Sequence, residues 1–224
     1  MNNLTKILLV VLLAVTILTA ATTKLVINVD STQTTLVQAL PDHNVLCKTV
    51  QNNKECVVVM GRELKGVRSV ANILALLDTA KSGDKITFLI TGLGGEVDTL
   101  LAITHEIEST KADVTTKVIG DVYSAHAMLG LVGKHIILKP SAVIMYHHSS
   151  GLRDRLEGND VCAAQETKAR RESCTKYINK HIITLDIFLQ TYVYKYLTID
   201  EIKQIREGGE VYLTGAELSK RINK

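Results

Sequence analysis

Between residues 56 and 147 the chain alternates two hydrophobic patterns. Short apolar runs stand at 56–60 (C-V-V-V-M), 85–91 (K-I-T-F-L-I-T), 113–120 (D-V-T-T-K-V-I-G), 136–138 (I-I-L) and 142–147 (A-V-I-M-Y-H). They are rich in β-branched residues and of strand length. Between them apolar residues recur at helix spacing: Val67, Val70, Ala71, Leu74 and Leu77, then Val97, Leu100, Leu101, Thr104 and Ile107, then Ala127, Met128 and Leu131. Such positions share one helix face. T-A-K-S-G-D (79–84) stops the first helix, and G-L-G-G (92–95) separates the second strand from the second helix. Strand–helix alternation predicts an α/β fold of βαβ units with a largely parallel sheet.

The flanks read differently. Residues 22–52 carry β-like stretches, K-L-V-I-N-V and T-T-L-V-Q-A-L, with little helical periodicity. After His147 comes a polar loop, S-S-G-L-R-D-R-L-E-G-N-D. A long helix is then predicted from Val161 to about Leu185, with a stripe of Cys174, Tyr177, Ile178, His181, Ile182 and Leu185. T-I-D-E at 198 and T-G-A-E at 214 have the capping-box pattern, so two further helices start there. The first 21 residues stand apart: M-N-N-L-T-K, then fifteen residues without a charge. That run is shorter than the roughly 18 residues of a spanning helix and suits an export signal, with Thr19 and Ala21 as small residues before a cleavage point; an uncleaved anchor is the alternative. The expected organisation is therefore 1–21 as signal peptide or anchor, 22–55 as a β-rich extension and 56–224 as the main domain.

Composition narrows the function classes. With 46% hydrophobic and 22% charged residues the chain is globular rather than disordered. Net charge is +3 and no Lys/Arg run exceeds a pair, so nucleic acid is not an expected partner. Four cysteines behind an export signal permit disulfides. Cys47 and Cys56 flank a hairpin turn near Gln51-Asn52, which sets their sulfurs opposite each other. Cys162 and Cys174, on one helix, would stand roughly 18 Å apart, and are expected to be free or paired between chains.

Three places carry candidate chemistry. In G-D-V-Y-S-A-H-A-M-L-G (120–130), Ser124 ends a strand and opens a helix. It serves there either as a cap for an orphan N–H or as a nucleophile beside free backbone donors. Gly94-Gly95 is either a tight turn or an amide aimed at an oxyanion. His147 ends a strand, with His148 beside it, and no H-E-x-x-H or C-x-x-C points to a metal. Parallel strands bring their C-terminal ends to one edge, so donor, nucleophile and base converge there, as acyl transfer requires.

I-T-G-L-G-G-E-V, D-V-T-T-K-V-I-G-D-V-Y-S-A-H-A and G-K-H-I-I-L-K-P-S-A-V-I-M-Y-H together resemble the Clp protease proteolytic subunit family, within the crotonase-like superfold. Order and spacing match over roughly residues 56 to 222. The resemblance implies repeated βαβ units with a protruding handle helix and C-terminal helices. It also implies a serine endopeptidase without cofactor or metal; with no unfoldase expected for an exported chain, small or already unfolded polypeptides would be its substrates. Ser124 would be the nucleophile, His147 the base, and the Gly95 and Ala125 amides the oxyanion hole. Through the handle helix it implies a homo-oligomeric ring. An unfoldase partner is not expected of an exported or membrane-tethered chain, where ATP is absent. The family's proline is Leu93 here, and Ala125-His126 replaces its Met-Gly. One extra residue precedes His147, which leaves His148 as the alternative base. The family's aspartate is expected at Arg206, with Glu207 and Glu210 the nearest carboxylates. Other readings are a Ser–Lys arrangement like that of signal peptide peptidases (Ser124/Lys176), a catalytically inactive scaffold, and a crotonase-type acyl-CoA enzyme.

Overall fold

The structure is a computed structural model that describes residues 43–150, 152, 154 and 162–224, together with the backbone of 34–40. The expected signal or anchor, the K-L-V-I-N-V stretch, most of the polar loop after Ser150, and Val161 lie outside the described residues. No described helix is long and apolar enough to cross a membrane.

Among the described residues eight strands form one sheet: β1 (Thr34–Leu40), β2 (His43–Val50), β3 (Asn53–Val59), β4 (Lys85–Gly92), β5 (Asp113–Tyr123), β6 (His135–Leu138), β7 (Val143–His147) and β8 (Glu210–Thr214). The path runs β1-β2-β3-β4-β5-β7-β8, with β6 also on β5. The βαβ segment is parallel as the alternation predicts: β3 with β4, β4 with β5, and β5 with both β6 and β7. The β2–β3 hairpin turns at Gln51 (φ 47°) and Asn52 (φ 71°), the paired positive φ of a two-residue hairpin loop. Cys47 faces Cys56 across it and the two are bonded.

The helices are α1 (Ala71–Thr79), α2 (Val97–Ser109), α3 (Ala125–Leu129), α4 (Lys168–Phe188), α5 (Ile199–Arg206) and α6 (Gly215–Ile222). Alternation in β4 sends Ile86, Phe88 and Ile90 into the core, where the α2 stripe of Leu100, Ile103 and Ile107 and α1's Ile73 and Leu77 complete one cluster. Each such side chain contributes roughly 1.5–3 kcal/mol by leaving water. Both predicted capping boxes form, Thr198 with Glu201 and Thr214 with Glu217.

Two expectations are corrected. The long helix starts at Lys168, capped by Thr167, not at Val161. Cys162 sits in the turn before it, folded back on the first turns of α4, so Cys162 and Cys174 have Cα atoms 5.7 Å apart and are bonded within the chain. The 18 Å separation held only for an unbroken helix. Beyond these two corrections, β8 is a strand the sequence reading passed over. It pairs antiparallel with β7, with Val211 and Leu213 buried and Tyr212 turned out.

Of the predicted stripe on α4, Leu185 is buried, Cys174, Ile178, His181 and Ile182 are half-buried, and Tyr177 is exposed. Outside the stripe, Phe188 is buried and Ile183 and Ile187 stay more than half exposed. The earlier turns are largely exposed and form the handle, which reaches Asp98 of α2 through Tyr177 and His181.

Candidate active site

β5, β7 and the glycine turn after β4 meet at the C-terminal edge of the parallel strands. Tyr123 pairs with Met145, and the Ser124 N–H donates to the Met145 carbonyl at 2.9 Å. Ser124 therefore leaves β5 one residue beyond a paired position, and His147 ends β7 two beyond it. Ser124, Ala125, Gly95, His147 and His148 all border one cavity of about 440 Å3.

Ser124 stands at the N-cap position of α3, yet its side chain makes no capping bond. Its backbone is at φ 54°, ψ −126°, a region that costs a non-glycine residue on the order of 1–3 kcal/mol and recurs at functional sites. The bend is a sharp elbow between strand and helix that turns the serine toward the cavity. Of the two uses open to this serine, capping is excluded.

The glycine turn seats directly on the elbow. A Cβ on Gly94 (φ 103°) would come within 2.6 Å of the Ser124 Cβ, and one on Gly95 (φ 136°) would collide with Leu64. Only glycine allows both approaches. Most amides of the turn are committed: Leu93 donates to Arg62, Gly94 to Nδ1 of His126, and Glu96 to Leu64. The Gly95 N–H has no acceptor among the described residues, and neither does that of Ala125, the first residue of α3. Two unpaired amides thus flank Ser124, the latter at the positive end of a short helix.

His147 and His148 differ in surroundings. His147 is half-buried on the face of β7 opposite buried Tyr146. Its register partner is Glu210, the first residue of β8, whose carboxylate accepts the Tyr212 hydroxyl at 2.7 Å. Directly opposed residues have Cβ atoms about 4.5–5.5 Å apart. His148 is 3% exposed, and its Nδ1 accepts the Ser149 N–H. Burial holds its pKa below the usual histidine value, with His147 and Arg206 acting the same way and Asp186 opposing.

The carboxylate expected at Arg206 is not there. Arg206 lies on α5, ion-paired with Asp186 at 3.7 Å and set over the Tyr194 ring. Glu207 is exposed and pairs with Lys203 along the helix. Glu210 is the carboxylate aligned with His147, and the sequence reading could have favoured it from the strand alternation of E-V-Y-L-T. It also missed His181, taken as a stripe residue, which borders the cavity from α4 with its Nδ1 3.5 Å from Asp98. Lys176 is exposed and lines a separate groove along the outer face of α4 with Lys168, Thr175 and Lys180.

A comparison with protein families finds a match to the Clp protease model over residues 42–185. The chain belongs to the Clp protease family. The match takes in the β2–β3 hairpin, the glycine turn, Ser124, His147 and most of the handle, and stops before β8. A curated relative, the ATP-dependent Clp protease proteolytic subunit 1 of Rhodococcus jostii (strain RHA1), is 30% identical over 103 residues, 44% of this chain and 46% of its own length. The chain thus aligns with less than half of that relative. Family membership accounts for the α/β architecture.

Proposed function

We propose that this Clp protease family chain is a serine endopeptidase that cleaves small or already unfolded polypeptides. The carrying observation is a non-capping Ser124, held on a strained elbow, that shares one cavity with His147 and with two unpaired amides. Ser124 Oγ attacks the scissile carbonyl carbon while His147 takes its proton. The carbonyl π electrons move to the oxygen, and the Gly95 and Ala125 N–H groups stabilise that oxyanion. As the tetrahedral intermediate collapses, the C–N bond breaks and His147 returns the proton to the leaving amine. Water then releases the acyl group by the same steps. Glu210, opposite His147, orients the imidazole and supports its charged form.

Two chain features extend the reading. Two intrachain disulfides agree with the export or membrane tethering expected from the first 21 residues. The exposed Tyr177, Ile183 and Ile187 on the handle suit burial against further copies of the chain, as a homo-oligomeric ring. The Ser–Lys alternative has little support, because Lys176 faces away from the cavity that Ser124 borders.

Labelling of the purified full chain with a fluorophosphonate tests this reading. Labelling is expected in the wild type and in Lys176→Ala, and is lost in Ser124→Ala and reduced strongly in His147→Ala. A folded, assembled wild type that takes no label would leave the inactive scaffold as the better account. Sensitivity to Lys176→Ala would move the site to the Ser–Lys arrangement.

A further inference from the structure

His126 takes no part in the chemistry above, and its surroundings are unusual. It lies in α3, two residues past Ser124, with none of its surface exposed. Its Nδ1 accepts the Gly94 N–H at 2.9 Å in a bond closed to solvent. A ring nitrogen that accepts carries no proton, so the imidazole is neutral with its hydrogen on Nε2. A second buried histidine repeats the arrangement nearby. His43, the first residue of β2, accepts the Gly61 N–H on its Nδ1.

Both bonds bear on the glycine turn, that of His126 directly and that of His43 through the segment that begins at Gly61. The segment beginning at Gly61, which His43 anchors, is stitched to the turn by three backbone bonds: Leu93 N–H to Arg62, Leu64 N–H to Gly94 and Glu96 N–H to Leu64. His126 holds the turn from the side of the nucleophile's own helix. Gly94 is therefore gripped at both of its polar groups, its N–H by His126 and its C=O by Leu64. In a planar trans peptide the C=O and the next N–H point in opposite directions. Fixing the Gly94 carbonyl toward Leu64 thus turns the Gly95 N–H away from Leu64, to the side where Gly95 borders the Ser124 cavity. Without the second grip, a glycine at φ 103° is free to rotate its flanking peptides.

We propose that neutral His126 is a positioning residue of the oxyanion site, locking the Gly94-Gly95 turn so that the Gly95 amide faces Ser124. The role rests on the serine-peptidase reading. It links the nucleophile and the donor through one side chain, so the two move together. Burial and the neighbouring ionisable ring of His43 both keep the ring uncharged.

The test compares His126→Leu, which removes the acceptor, with His126→Asn, whose Oδ1 falls where Nδ1 was. Both are made in the full chain and assayed for peptide hydrolysis and fluorophosphonate labelling. His126→Leu is expected to lose about 10²–10³-fold in kcat with KM little changed, the loss typical of one oxyanion donor. His126→Asn recovers most of that loss. Imidazole 15N spectra of the unmodified chain and of Ser124→Ala are expected to show an unprotonated Nδ1 on His126 at neutral pH. Equal kcat in wild type and His126→Leu overturns the proposal, and so does an equal loss in the two variants. A protonated Nδ1 overturns it even if His126→Leu does not fold. A wild type that neither labels nor turns over sinks the peptidase reading and the catalytic role of His126 with it. An active wild type indifferent to His126 sinks this proposal alone.

Discussion

Acid should destabilise this protein through His126, and the size of the effect follows from its burial. Burial, reinforced by the nearby His43, pushes the His126 pKa from the ordinary 6.5 down to about 4. In the unfolded chain the same ring titrates normally. Between those values the unfolded state binds a proton that the folded state refuses. Stability is therefore fully present above about pH 6.5 and is lost as pH falls toward 4. At 1.36 kcal/mol per unit, the loss from this residue is about 2 kcal/mol by pH 5 and about 3 kcal/mol by pH 4. His148, also held below its ordinary value by burial, adds a loss of the same sign in both wild type and variant. Replacing His126 by Asn removes the titration and keeps an acceptor for Gly94. Urea unfolding at pH 7.5, 6, 5 and 4 should then show the wild type losing about 3 kcal/mol more than His126→Asn across the series. Parallel curves for the two proteins would refute the reasoning, since they would mean that His126 is protonated in the folded state or exposed to water.

Other consequences are as direct. Glu210→Gln should lower kcat for peptide hydrolysis by up to about 10⁴, the loss found when a histidine loses its orienting carboxylate, with the rate against pH as the measurement; an unchanged rate would remove Glu210 from the site. Gly95→Ala should cost at least 1–3 kcal/mol in thermal or urea unfolding, because a Cβ at φ 136° meets the Leu64 backbone. Cys174→Ser should destabilise the chain by roughly 3 kcal/mol, as expected for closure of a loop of this length, and added reductant should then change wild-type stability more than the variant's.

Local pattern was enough for the β4-to-β7 segment. Period-two alternation in Ile86, Phe88 and Ile90, and helix spacing in Leu100, Ile103 and Ile107, are properties of neighbouring residues. The capping boxes at Thr198 and Thr214 and the Cys47–Cys56 hairpin are local too, and each stands where the residues put it. The convergence of Ser124, His147 and Gly95 was also within reach, because parallel strands share one C-terminal edge. What the chain order could not reveal was every relation that depends on a fold-back or on a partner strand. The Cys162–Cys174 bond depends on a turn that ends before Lys168, which no periodicity marks. Glu210 is the carboxylate aligned with His147 only because β8 returns antiparallel to β7, sixty-three residues later in sequence. That Ser124 does not cap α3 follows from a backbone bend at one residue, held by a Met145 carbonyl on another strand. His126 looked like a departure from the family pattern; its bond to Gly94 spans thirty-two positions and exists only once β4 and β5 lie side by side. Hydrophobic periodicity dictates which face of an element is buried, and the sheet then dictates which distant polar groups share that burial.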